Sequence, residues 1–358
     1  MIKRFFVLGL TLAICGCGPK VSGPSPSGTP ATLLPSATSE MQSQTKDARL
    51  LLPATKDGKS GFINERGQVV ITFDYDEVLP FNEKIAPMRL GNLWGFVESS
   101  GTRLVEPRYG AARAPSEGRA AVKMLNQKWG FIDASGTEVV TPEYAEVHDY
   151  SQAAAAVELD KKWGFIDPKG KKIIDPQYEE VGDFNDGLAP VRDAKGWGYI
   201  DKTGKVVVAQ QFAQAGNFSD DWAAVQAQGK WGYIDTQGKF KVPATYQAAR
   251  TPRNGMAGVK SGDQWGFLDK SGKVAIKPAF EAVGDFSDGL APVKRKGQWM
   301  YVNPAGEKAV SLPDGVTQAD AFLNGIAHVT LNQASCYVSK SGEFVWNPVN
   351  GKQESMNH

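Results

Sequence analysis

Trp163-Gly164-Phe165-Ile166-Asp167, followed by Pro168-Lys169-Gly170 and Lys171-Lys172-Ile173-Ile174-Asp175-Pro176-Gln177-Tyr178, is the stretch that decides the fold, because the chain repeats it. Tryptophan recurs at positions 94, 129, 163, 197, 231, 265 and 299, in gaps of 35, 34, 34, 34, 34 and 34 residues, and all but the last are followed by glycine. Seven residues after each tryptophan slot stands Gly67, Gly101, Gly136, Gly170, Gly204, Gly238, Gly272, Gly306 or Gly342. Two of these glycines follow slots held by Ser60 and Ser335, so the chain holds nine copies with degenerate outer units. A unit of this size buries its apolar face only against its neighbours. The end units of an open array would have one packed side, and a lost tryptophan is what such caps are expected to show.

Within a unit, Trp163, Phe165 and Asp167 alternate with Gly164 and Ile166, a period of two built from aromatic and β-branched residues, which predicts a strand. Asp167 to Gly170, like Asp201 to Gly204, Asp235 to Gly238 and Asp269 to Gly272, has the composition of a hairpin turn: the carboxylate caps backbone donors and glycine takes a positive φ. Val206-Val207-Val208 and Ile173-Ile174 give the return strand. Aromatic residues follow at Tyr75, Tyr109, Tyr144, Tyr178, Phe212, Tyr246 and Phe280, and a second set at Phe81, Tyr150, Phe184, Phe218 and Phe286. A further strand, Leu188-Ala189-Pro190-Val191, contains a proline that lacks a ladder donor, so one edge of it is expected to be open or bulged. Three to four short strands per unit leave little room for helix. The expected fold is all-β, with tandem β-hairpin repeats of about 34 residues forming an open or superhelical solenoid-like array. A closed propeller-like ring is the alternative, disfavoured because propellers usually have about 4 to 8 blades of about 40 residues or more.

The Trp-Gly-Phe/Tyr-Ile-Asp-x-x-Gly units, with Lys128, Lys162 and Lys230 before the tryptophan, resemble the WG-repeat family, also called KWG repeats. The resemblance runs from about residue 48 to about 350 and departs at Ser60, at Met300 in a glycine slot, and at the last unit, which is offset by two extra residues. It implies an all-β repeat architecture and supplies no catalytic residues to carry over.

The N-terminus reads as an export signal: Lys3 and Arg4 precede an apolar stretch from Phe5 to Ile14 that is too short to span a bilayer. Ile14-Cys15-Gly16-Cys17 resembles a bacterial lipobox, with residues 1–16 removed and Cys17, behind the small Gly16, as the diacylated residue carrying a palmitate-type anchor. Gly18 in place of Asp after that cysteine points to the outer membrane of a Gram-negative envelope. Residues 17–47 are rich in Ser, Pro, Thr, Gly and Ala and cannot bury enough surface to fold, so they read as a linker. The repeat array is placed at 48–350 and a tail at 351–358.

Lys plus Arg is 40 against 39 for Asp plus Glu, a net charge of +1, which gives nucleic acid no basic surface to bind and limits contact with the membrane to the lipid anchor. Only His148, His328 and His358 are present, in separate units and the tail, so no zinc spacing and no histidine-dependent nucleophile assembles from sequence neighbours. No catalytic residue, metal or cofactor is assigned. Asp183-Phe184-Asn185-Asp186-Gly187 and Asp285-Phe286-Ser287-Asp288-Gly289 bring oxygens together, but without the spacing of a calcium loop, and they read as solvated turns. Cys336 occupies a glycine slot and reads as buried packing, and the in-phase tryptophans read as core. What varies between units is the connection after the Leu-Ala-Pro-Val strand, so Arg89, Lys123, Arg192, Lys294, Arg295 and Lys296 are the candidate binding residues. The expected function is a non-catalytic, lipid-anchored scaffold for an envelope protein; the alternative is a carbohydrate or peptidoglycan-binding module.

Overall fold

A computed structural model describes residues 50–348. Among them the regular elements are β-strands in nine antiparallel sheets, and no α-helix occurs. Each sheet is one repeat and forms one blade. Blade 5 is representative: Glu180–Val181, Leu188–Asp193, Gly196–Asp201 and Val206–Phe212 lie side by side in chain order. Blade 1 has three strands, Leu52–Lys56, Lys59–Ile63 and Val69–Tyr75, and the other eight have four.

The Asp-x-x-Gly segment is the expected turn. Asp167 Oδ1 accepts from the backbone N–H groups of Lys169 and Lys171, each at 2.9 Å, and Gly170 has φ 80°. The same cap recurs at Asp133, Asp201, Asp235 and Asp269, and with an amide at Asn64 and Asn303. These carboxylates cap separate turns and do not form a row.

The glycine after each tryptophan has a steric cause. Trp163 pairs with Tyr178, Phe165 with Ile174 and Ile166 with Lys172, so the register slips twice within four residues. The bulge drives the fourth strand into the third, and a Cβ on Gly198 would lie 2.5 Å from the Val208 carbonyl oxygen and 2.7 Å from the Gln210 nitrogen. Blade 8 is a natural control: where Met300 replaces glycine, it pairs with Ser311, only one slip remains, and the fourth strand shortens to Lys308–Ser311.

The strand with proline lies inside its sheet. Leu188–Asp193 lies between its neighbours, and the Pro190 carbonyl accepts from Gly182 N–H at 2.8 Å. The proline is tolerated because Glu180–Val181 pairs only with Arg192 and Val191 and the contact ends at the single Gly182 bond, so the N–H that proline lacks falls where that edge opens.

Core residues gather between blades. Phe165 of blade 4 packs on Phe184 of blade 5 at 4.8 Å between ring centroids, and the same step links Phe62 to Phe81, Phe131 to Tyr150, Tyr199 to Phe218, Phe267 to Phe286 and Tyr301 to Phe322. Where Pro252 occupies the second aromatic slot, Trp222 fills the gap and packs on Tyr233 at 4.7 Å. Trp129, Trp197, Trp222 and Trp231 are buried, while Trp94, Trp163, Trp265 and Trp299 are partly buried, in agreement with a core role.

The array is closed, so the propeller-like ring is the realised architecture and the open solenoid is not. Nine units in an open row have eight interfaces, yet nine apolar clusters occur among the described residues. The ninth joins Leu50, Leu52, Ala54 and Ile63 of blade 1 to Ile326 and Tyr337 of blade 9. There Phe73 stacks on Trp346 at 5.6 Å, and the Tyr337 hydroxyl donates to the Pro53 carbonyl at 2.8 Å. The degenerate end units are therefore the two halves of a joint and not exposed caps; the large aromatic needed there comes from Trp346, so Ser60 and Ser335 suffice in the usual slot. Four strands fit into 34 residues because the first is only two residues long in most blades, which removes the length argument against a propeller.

Candidate binding surfaces of the ring

Four of the six cationic candidates share one register position. Arg89, Lys123, Arg192 and Lys294 lie directly across from Trp94, Trp129, Trp197 and Trp299. They do not make a continuous basic surface, because Glu158 and Gln226 hold the same position opposite Trp163 and Trp231 in blades 4 and 6. Two are engaged within their own blade: Arg89 Nε contacts Glu77 Oε2 at 3.0 Å, and Arg192 Nη2 contacts Glu180 Oε1 at 2.7 Å. Lys123 lies 5.5 Å from the centroid of the Trp129 ring, and Arg295 lies 5.1 Å from that of Phe280. Lys296 occupies the first place of a hairpin turn with φ 52°, and Gly297 follows it. Cys17 lies outside the described residues.

Sequence reading missed the polar joints between blades. The acidic turns read as solvated are latches to the next unit. Asp186 Oδ2 accepts from Asp221 N–H at 2.9 Å and Asp220 Oδ2 from Gly255 N–H at 2.8 Å. Glu83 likewise takes the Gly118 N–H, Glu117 those of Gln152 and Ala153, and Asp288 that of Gly325. Asp186 and Gly187 both have positive φ, and Asn185 and Leu188 exchange two backbone hydrogen bonds around them, which is a two-residue type I′ hairpin. That turn places the latch donor and the latch acceptor at neighbouring positions, as with Glu117 and Gly118 or Asp220 and Asp221. A recurring acid 35 residues ahead of a left-handed turn residue was the available signal.

A second set of contacts lies just before the second aromatic. His148 Nδ1 of blade 4 meets Asp183 Oδ1 of blade 5 at 2.7 Å, and Asn217 Oδ1 of blade 6 accepts from the Asp183 N–H at 3.1 Å. Arg113 reaches Glu146 at 2.7 Å and the Val147 carbonyl at 2.8 Å, and Arg250 reaches Asp285 at 2.7 Å. Blades 5, 6 and 8 place Gly182, Gly216 and Gly284 at the position of His148. A Cβ on Gly182 would strike Asn217 Oδ1 and lie 2.6 Å from the Pro190 ring, so glycine there makes room for the neighbour's amide. Burial disfavours the charged His148, but the Asp183 charge and hydrogen bond outweigh it and its pKa is raised. Burial likewise opposes ionisation of Asp183, and His148 with Asn217 reverses this, so its pKa is lowered. Both directions favour an ion pair across the joint.

His328 is held within blade 9, with Nδ1 2.8 Å from Asp320 and Nε2 3.0 Å from Ser335 Oγ. Cys336 is fully buried, and desolvation pushes its thiol up to about 11, which suppresses the reactive thiolate. Among the described residues no group of three or more His, Cys, Asp or Glu side chains is placed to hold a metal ion, and no helix is long and apolar enough to cross a membrane.

The WG containing repeat matches residues 61–94, 94–129, 129–163, 163–194, 197–231, 231–265 and 265–299, most of the chain. The chain belongs to the WG-repeat family. No curated protein matches it. Among solved structures, this WG-repeat ring is similar to a eukaryotic initiation factor, at 10% identity and TM-score 0.64, covering 84% of this chain and 96% of that one. It is also similar to the computationally designed Ika8 protein, at 14% identity and TM-score 0.50, covering 83% and 98%. At these identities the likeness concerns fold alone. BamB from Moraxella catarrhalis, at 12% identity, covers 88% and 95% of the two chains at TM-score 0.41.

Proposed function

We propose that this WG-repeat ring is a non-catalytic binding scaffold, held at the cell envelope by lipid on Cys17, whose partner is an envelope protein. The observation that carries this reading is the use made of the polar side chains. Acids, amides and both described histidines are engaged in turns, latches and joints that fix the ring, which leaves the connection after the Leu-Ala-Pro-Val strand and the outer blade edges to vary. A rigid frame with variable edges suits recognition of another protein. A glycan module would need exposed aromatic platforms, and the only exposed rings among the described residues are Phe240 at 41% and Phe344 at 37%. Affinity capture from native envelope with the full chain, with and without detergent, tests the proposal. A protein partner retained by wild type, together with loss of membrane association in Cys17→Ser but not in Cys15→Ser, is expected. Capture of peptidoglycan fragments and no protein would replace the scaffold with the glycan module, and unchanged membrane association of Cys17→Ser would remove the anchor.

A further inference from the structure

The last strand of each blade ends its sheet and leaves one backbone edge without a neighbouring strand. Such edges invite pairing with other chains, and proteins usually block them with charges or proline. The nine units allow an internal comparison. Seven of these edge strands have seven residues, and six of the seven carry a charge, a proline or both: VVITFDY, RLVEPRY, EVVTPEY, KIIDPQY, FKVPATY and VAIKPAF. The seventh, Val206–Phe212 of blade 5, reads VVVAQQF and has neither. Position 210 holds glutamine where blades 2, 3, 4 and 7 have Pro107, Pro142, Pro176 and Pro278. Position 206 holds valine where blades 4 and 8 have Lys172 and Lys308.

This unblocked edge is also apolar on its surface. Val206 is 46% exposed and Val207 40%, and Phe240 of the next blade, 41% exposed, has its ring 6.2 Å from that of Phe212 at the far end of the strand. The geometry points to Val206–Phe212 as a docking edge for an extended, uncharged segment of a partner protein, added as a fifth strand of blade 5 with its end against Phe240. An uncharged segment fits because nothing on this edge pairs a charge, and main-chain hydrogen bonds supply the affinity. A second copy of the chain fits less well. Two rings meeting edge to edge share one strand of about 23 Å and bury on the order of 250 Å² each, well short of the roughly 800 Å² per partner of a stable dimer.

The inference rests on the scaffold reading and is separable from it by experiment. The probe is the peptide acetyl-Thr-Val-Thr-Val-Thr-Val-Thr-amide, titrated into the full chain while hydrogen exchange is followed by mass spectrometry. Val206→Lys and Gln210→Pro are the variants; both install residues that other blades already carry, so the ring is expected to fold. Peptide-dependent protection confined to residues 206–212 is expected, with affinity about tenfold lower in each variant. Equal affinity in wild type and both variants, or protection at other blades, would overturn the site. So would protection that rises with protein concentration without peptide, since a second copy is then the occupant. An envelope protein captured equally by wild type and both variants would overturn the docking edge and leave the scaffold standing.

Discussion

Replacing Gly198 with alanine tests whether the glycine of the repeat motif is required by the bulge. The added methyl carbon would lie 2.5 Å from the Val208 carbonyl oxygen, 2.7 Å from the Gln210 nitrogen and 2.8 Å from the Ala209 carbonyl carbon. All three atoms are backbone, so no rotamer change relieves the overlap, and the fourth strand must move away from Gly196–Asp201. Overpacking of this kind costs about 1–3 kcal/mol, and loss of one ladder hydrogen bond adds about 1 kcal/mol. A total of about 2–4 kcal/mol, at about 2 °C per kcal/mol for a chain of this size, lowers Tm by roughly 4–8 °C. Gly187→Ala is the control: its φ is 81° but nothing lies within 4 Å of the new carbon, so only the left-handed backbone penalty of about 1 kcal/mol applies. Thermal unfolding followed by far-ultraviolet circular dichroism and by tryptophan fluorescence reads both. A Gly198→Ala protein that melts within about 1 °C of wild type, or no lower than Gly187→Ala, would refute the steric account.

The joint between blades 4 and 5 gives a pH prediction. Because the folded pKa of His148 is raised, its contribution is complete below the unfolded value near 6.5 and is lost as pH rises through the folded value; Asp183, with a lowered pKa, contributes down to pH values below its ordinary range. The Tm advantage of wild type over His148→Gln should therefore be larger at about pH 5.5 than at about pH 9, and equal advantages would contradict the ion pair. For the latches, Asp186→Ala should speed amide exchange at Asp221, its hydrogen-bond partner in blade 6, and leave the Asp201 turn amides unchanged. Unaltered exchange at Asp221 would mean that the carboxylate does not hold the joint.

Much of the blade was legible in the chain. Period-two aromatic and β-branched residues gave the strands around Trp163, and Asp167 with Gly170 gave the turn, because these signals are local and depend on neighbours in sequence. Ring closure was not legible, because it depends on Phe73 meeting Trp346 and Tyr337 meeting Pro53, contacts across almost the whole repeat region that no period reports. The loss of tryptophan at both ends was ambiguous for the same reason: a free end and a specialised joint relax the same slot. The interior position of Pro190 was hidden because Glu180–Val181 is too short to leave a strand pattern. Of the cationic candidates, the alignment of Arg89, Lys123, Arg192 and Lys294 with the tryptophans follows from the period, but the engagement of Arg89 with Glu77 and of Arg192 with Glu180 required the sheet pairing. His148 and Asp183 are 35 residues apart and look unrelated until their blades are stacked.

Nine repeats close on themselves through the joint between blades 1 and 9. Replacing Phe73 with the photoreactive amino acid p-benzoylphenylalanine and irradiating the monomeric full chain tests it directly, since the Phe73 ring stacks on Trp346 in the joint between blades 1 and 9. Mass spectrometry should find an intramolecular cross-link joining the peptide around residue 73 to the one around residue 346. Monomer without that link, or with links confined to blades 1 and 2, would mean that the array is open.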